Sequence, residues 1–156
     1  MSPSLGVRMF LDKKLSDARY FGMGPQESYR DKHQAASHGL YRANVRDLHE
    51  DYIRPQENGS HFDCDFVELS ASQFGITAVS EEPFSFNASC YTQEELEKTA
   101  HNYELTESDS LVFCLDYAQN GIGSNSCGPT VLKEYQFDES SFQFRFELIP
   151  FVRRSL

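Results

Sequence analysis

Leu111-Val112-Phe113-Cys114-Leu115-Asp116-Tyr117 decides the reading of this chain. Leu111, Phe113, Leu115 and Tyr117 fall at every second position, the spacing of one face of a β-strand. Val112 and Cys114 make the opposite face largely apolar as well, which predicts a strand inside a sheet rather than at its edge. The same period recurs along the chain. Phe84, Phe86, Ala88 and Cys90 line one side of the run 83–90, and Phe74, Ile76 and Ala78 form another face. Phe62, Cys64 and Phe66 alternate with Asp63 and Asp65, and Val7, Met9 and Leu11 with Arg8, Phe10 and Asp12, where Phe10 blurs the pattern. Phe142, Phe144, Phe146 and Leu148 stand against Gln143, Arg145 and Glu147, a strand with one apolar and one charged face. Glycine, proline and Asp/Asn/Ser clusters separate these runs. The fold class that follows is mainly β, an antiparallel β-sandwich forming one domain over residues 1–156.

One short helix is expected near 92–100. Thr92-Gln93-Glu94-Glu95 has the capping-box pattern, with Thr92 as N-cap and Glu95 reaching back to its N–H. Leu96, Thr99 and Ala100 would give it a narrow packing face. Asp31 to Gly39 reads as helical or irregular, with Gly39 as a plausible C-cap.

The 156 residues suffice for one hydrophobic core, and 13 Phe with 8 Tyr exclude a disordered chain. No apolar run reaches the roughly 20 residues of a membrane span. The net charge of −10 argues against nucleic acid as a partner. That charge is uneven: residues 1–54 carry +2 and residues 55–156 carry −12. The acidic half reads as a solvated face, or as a docking surface for a basic neighbour. Met1 is followed by Ser-Pro-Ser rather than by a basic region and an apolar stretch, which points to a cytoplasmic protein. Cys64, Cys90 and Cys114 sit in apolar alternations and read as reduced core residues.

Motifs of catalysis are sparse. G-x-S-x-G, P-loop and H-E-x-x-H patterns are absent, and the five histidines show no helical metal-ligand spacing. Three segments are locally unusual: 20–32, 52–59 and 120–129. Each is rich in glycine, proline or polar groups, as loops displayed by a sheet often are where sites lie.

These segments resemble the C-terminal, small-chain-type region of the bacterial lactose-type β-galactosidases, the large family 2 glycoside hydrolases. Gly22-Met23-Gly24-Pro25-Gln26-Glu27-Ser28-Tyr29-Arg30-Asp31-Lys32 is similar to the family's G-x-G-P-x-E-x-Y-x-D-[RK] block. Tyr52-x-x-Pro55-Gln56-Glu57-Asn58-Gly59 is similar to its Y-x-x-P-x-E-N-G block. Phe86 to His101, with Ser89, Tyr91, Thr92 and Leu96, resembles a third block, and Gly121-Ile122-Gly123-Ser124-Asn125-Ser126 completes the set. Four blocks in the right order cover essentially the whole chain.

The resemblance implies half of a galactose-mutarotase-like supersandwich, entered partway by Ser2 to Leu11. It implies a parent enzyme that hydrolyses terminal β-galactosides such as lactose, with retention and through a covalent galactosyl-enzyme. The family's two catalytic glutamates lie on a separate barrel domain, so no residue of this chain is expected to be catalytic. Magnesium and sodium are implied for the full enzyme, with no recognised ligand here. The implied partners are the β-galactoside substrate, the enzyme's other domains and further copies in a homo-oligomer, with neither nucleic acid nor membrane. The resemblance also places Ser124, Asn125, Ser126, Cys127 and Gly128 at the edge of the substrate pocket. There the family presents a tryptophan to the sugar. This sequence has no Trp, and Cys127 falls at that place in a loop one residue shorter. The competing reading is a stand-alone carbohydrate-binding or aldose-epimerase-like domain, with Glu57 and His49, His61 or His101 as its acid and base. A severed supersandwich also predicts an unpaired sheet edge or an exposed apolar patch covered by self-association.

Overall fold

The alternating runs become strands because each can place its apolar side chains on one side of a shared sheet. A computed structural model describes residues 4–119 and 141–153. Among the described residues seven strands form: β1 (Ser4–Leu11), β2 (Asp17–Gly24), β3 (Ser37–Asn44), β4 (Ser60–Ser70), β5 (Phe74–Ser89), β6 (Leu111–Gln119) and β7 (Glu147–Val152). All belong to one antiparallel sheet in the order β1-β6-β5-β4-β2-β3, with β7 beside β5. The mainly β, antiparallel reading holds, and β6 lies inside the sheet between β1 and β5. Leu111 to Asp116 are buried without a break, as two apolar faces require.

β5 organises the rest. The two runs read separately at 74–78 and 83–90 are one 16-residue strand. Its first half pairs with β4 and β7, its second half with β4 and β6. Between the halves, Glu81, Glu82 and Pro83 are exposed. The strand expected from Phe142 begins only at Glu147, opposite Val79. Past Val79 the backbone ladder gives way to a side-chain contact. Ser80 Oγ instead donates to the Arg145 carbonyl at 2.8 Å. Phe144 and Phe146 still pack against the core, while Phe142 is exposed.

β4 departs from the simple alternation. Cys64 is buried, but the next buried residues are Val67 and Leu69 rather than Phe66. The register with β5 shifts between His61 and Cys64 and again between Cys64 and Phe66, and Asp63 has φ 57°. This bulge re-phases the strand, so its acidic positions do not stay on one face. Gly22 makes room for it, because a Cβ there would lie 2.3 Å from Cys64 Sγ.

The core lies on one face of the sheet. Tyr20, Val67, Leu69, Phe86, Phe113 and Leu115 are among its most buried members. Val45 and Leu48, from a 3-10 turn over Val45–Leu48, pack into the same cluster. Asp31 to Gly39 is not helical: turns occupy 30–35, and Gly39 lies inside β3 rather than capping a helix. Cys64, Cys90 and Cys114 are free thiols, Cys64 and Cys114 buried and Cys90 half-buried. No helix among the described residues is long and apolar enough to cross a membrane.

The short helix forms as α1 (Gln93–Lys98). Thr92 Oγ1 accepts the Glu95 N–H at 3.1 Å. Only that half of the capping box is made. The Glu95 carboxylate turns away, accepting from Thr106 N at 2.9 Å and Thr99 Oγ1 at 3.3 Å, with Lys98 Nζ at 2.6 Å. Those contacts tie the helix to the segment leading into β6. Of the expected packing face, Leu96 and Thr99 are buried and Ala100 is exposed. Thr92→Ala is expected to cost about 1 kcal/mol and to speed exchange of the Glu95 amide, read by hydrogen exchange followed by NMR.

Candidate functional site

Two of the three unusual loops meet at one carboxylate. After β2, Gly24-Pro25 is a cis peptide, and the chain then runs inward so that Glu27, Ser28 and Tyr29 are all buried. Ser28 fixes the loop from both ends. Its N–H donates to Ser60 O at 2.7 Å, its hydroxyl donates to Met23 O at 3.0 Å, and that hydroxyl accepts Phe62 N–H at 2.9 Å. Glu27 is thereby aimed at the segment preceding β4.

Both oxygens of Glu27 are engaged. Oε1 takes Lys32 Nζ at 2.6 Å and the Tyr52 hydroxyl. Oε2 takes Gly59 N–H at 2.8 Å and the Tyr29 hydroxyl at 3.4 Å. Lys32 Nζ also lies 3.0 Å from the Tyr52 oxygen. Burial works to raise the Glu27 carboxyl, but Lys32, Tyr52 and Gly59 together hold it below the usual carboxylate range. Burial and the neighbouring carboxylate push the Tyr29 and Tyr52 hydroxyls upward, so both stay protonated donors. Glu27 is thus a fixed anion with all its bonding spent inside the fold.

The second loop is shaped to reach it. Gly59 has φ 74°, a conformation that favours glycine, and a Cβ there would lie 2.4 Å from Leu48 O. Asn58 Oδ1 accepts Glu50 N–H at 2.9 Å and Asn58 Nδ2 donates to Gln56 O at 2.9 Å, which fixes the chain just before Gly59. A third block joins the same junction. Asn87 Nδ2 donates to Asn58 O, Gln93 Nε2 to Glu57 Oε1 at 3.0 Å, and Asn102 Nδ2 to Tyr52 O at 2.6 Å. Burial raises the Glu57 carboxyl above its ordinary range.

Below the junction, His61 is 1% exposed. Its ring packs 4.5 Å from that of Tyr20 and stacks 5.1 Å from that of Phe86. Nδ1 lies 3.3 Å from Met23 O, and Nε2 has no hydrogen-bond partner among the described residues. Burial drives its pKa down to about 4, so the ring is neutral.

The acid–base pairs sketched from the sequence do not assemble. Glu57 bonds Gln93, His61 is sealed in the core, His49 Nε2 lies 3.5 Å from Asp51, and His101 stacks on Tyr103. Ser124, Asn125, Ser126, Cys127 and Gly128 lie outside the described residues. Among the described residues no group of three or more His, Cys, Asp or Glu could hold a metal ion. The sequence pointed to both loops of the junction. It missed the burial of His61 and the role of Lys32, which is a bystander until the turn at 29–32 folds it back on Glu27.

Sequence comparison places the stretch that carries these loops in a known family. The beta galactosidase small chain family matches residues 1–148. This chain belongs to that family. It is 49% identical over 147 residues to a beta-galactosidase of Actinobacillus pleuropneumoniae, covering 94% of this chain and 14% of that protein. It is 38% identical to a beta-galactosidase of Staphylococcus xylosus, over 94% of this chain and 15% of that protein. A beta-galactosidase of Kluyveromyces lactis is 33% identical, over 94% and 14%. The chain therefore spans about a seventh of the length of the relatives it matches. Three of the four blocks that carry the family resemblance are the ones stitched together around Glu27, Gly59 and Gln93.

Proposed function

We propose that this chain is a structural and pocket-edge domain of a β-galactosidase that hydrolyses terminal β-D-galactosides such as lactose, and that it is inactive alone. The observation that carries this reading is the state of Glu27. Its two oxygens are occupied by Lys32, Tyr52, Gly59 and Tyr29, so it has no lone pair positioned for a substrate proton. A retaining glycosidase needs two carboxyl groups about 5 Å apart, one of them free to attack. On this reading both come from the parent's barrel domain, as do the ligands for magnesium and sodium. The parent is a cytoplasmic homo-oligomer. The described sheet ends on β1 and β3, where Val7, Phe10 and Leu40 are exposed, which supports contact with other domains of the parent.

The test is an assay of the isolated chain. It is expected neither to hydrolyse nitrophenyl β-galactoside nor to speed the mutarotation of galactose. Hydrolysis by the chain alone would overturn the proposal, and rapid mutarotation would favour an epimerase-like domain. The pocket-edge role of Ser124–Gly128 makes a separate prediction. An indole offers a far larger stacking face than a thiol. Cys127→Trp in the full-length parent is therefore expected to change KM for lactose; unchanged KM and kcat would remove that role.

A further inference from the structure

The face of the sheet opposite the core carries an arginine-rich cleft of about 300 Å³. Arg19, Arg42, Arg153, Asp17, Glu68, Ser70 and Phe151 line it. β2 and β3 pair so that Arg19 lies directly opposite Arg42. Like charges in such register destabilise a sheet unless something neutralises them. Two carboxylates do part of this. Asp17 takes Arg42 through Nε at 3.0 Å and through a second guanidinium nitrogen. Glu68, nearly buried, takes Arg19 at 2.8 Å on one oxygen and Arg153 at 3.0 Å on the other. Three guanidinium groups thus share two carboxylates, leaving one positive charge in excess within a chain of net charge −10.

The arrangement is held before any ligand arrives. Glu68 holds two guanidinium groups, and the backbone of Arg153 is fixed by its amide N–H donating to Gln73 O at 2.7 Å. Phe151 lies across Gly75, where a Cβ would come within 2.4 Å of the ring, and Arg153 sits 5.4 Å from that ring's centre. Each guanidinium carries five N–H donors, and the contacts to Asp17, Glu68 and Ser70 use only some of them. The side chains of Arg19 and Arg153 are about half exposed and that of Arg42 more so, so donors remain open to solvent at the lining of the cleft. Preorganised guanidinium donors with surplus positive charge suit a planar or tetrahedral oxyanion.

We propose that this cleft binds a small oxyanion of the phosphate or sulfate type between Arg19, Arg42 and Arg153. The experiment follows the arginine Nε–H resonances of the full 156-residue chain by NMR during titration with inorganic phosphate, and separately with inorganic sulfate. Sodium chloride at matched ionic strength and galactose serve as controls. Saturable shifts at Arg19, Arg42 and Arg153 with either oxyanion are expected, with both controls leaving them in place. Arg153→Met and Arg42→Met are each expected to weaken binding about tenfold. Arg8→Met, outside the cleft, is expected to leave it unchanged. Chloride shifting the same resonances equally would reduce the effect to screening and overturn the proposal. So would galactose binding in place of the oxyanions, or no saturation with phosphate or sulfate by about 50 mM.

Discussion

Glu27→Ala is expected to destabilise the domain by about 3 kcal/mol, a drop in melting temperature of about 10 °C. The reason is what the substitution leaves behind. Lys32 Nζ, Gly59 N–H and the Tyr52 and Tyr29 hydroxyls all donate to this one carboxylate. Removing a shared acceptor strands several donors at once, and the buried Gly59 N–H cannot turn to water. The half-exposed Lys32 can, which keeps the loss at the lower end of the range for a broken buried pair. Glu27→Gln keeps an oxygen for Gly59 but loses the charge facing Lys32, so about half the loss is expected. Urea unfolding of the three proteins measures this. A Glu27→Ala protein as stable as the parent would show that the junction is not what holds the two loops.

Acid should weaken the domain in two separable stages, and His61 governs the first. In the unfolded chain the imidazole takes up a proton below its ordinary value of 6.5, whereas in the fold it does so only near 4. Between those values unfolding binds a proton, so stability falls as pH falls, and the loss is complete once pH is below about 4. The span corresponds to about 3 kcal/mol. Glu27 acts lower. Its carboxyl is depressed in the fold, so its contribution is full above about 4.5 and fades as pH drops through the lower folded value. His61→Gln is expected to flatten the profile between pH 6.5 and 4 while leaving the more acidic stage. Urea midpoints taken at half-unit pH steps check it. A His61→Gln profile that still falls by about 3 kcal/mol over that range would mean other groups carry the effect.

The strands were legible where packing obeys the simple two-residue period. β6, β1 and the second half of β5 lie where their alternation predicts. β4 and the residues before β7 did not, and the departures are local and specific. A left-handed residue at Asp63 re-phases β4, and nothing in Phe62-Asp63-Cys64-Asp65-Phe66 announces it. Phe142–Phe146 stay out of the ladder although their own pattern favours a strand, and Ser80 Oγ meets the Arg145 carbonyl instead. The candidate site divides the same way. Glycine, proline and asparagine marked the loops at 20–32 and 52–59, because turn chemistry is local. That Glu27, Tyr52 and Gly59 converge depends on pairing between β2 and β4, which no local pattern encodes. The arginine cleft was equally hidden. Its side chains are scattered from residue 17 to residue 153 and become neighbours only through strand register.

The central claim is that this chain serves a β-galactosidase as a supporting domain and contributes none of the catalytic groups. The most direct measurement replaces the matching segment of the Actinobacillus pleuropneumoniae beta-galactosidase with this chain and assays galactoside hydrolysis. The account predicts an active chimera that loses activity and stability together when Glu27→Ala is introduced. A chimera that folds and assembles but does not hydrolyse the galactoside would contradict it.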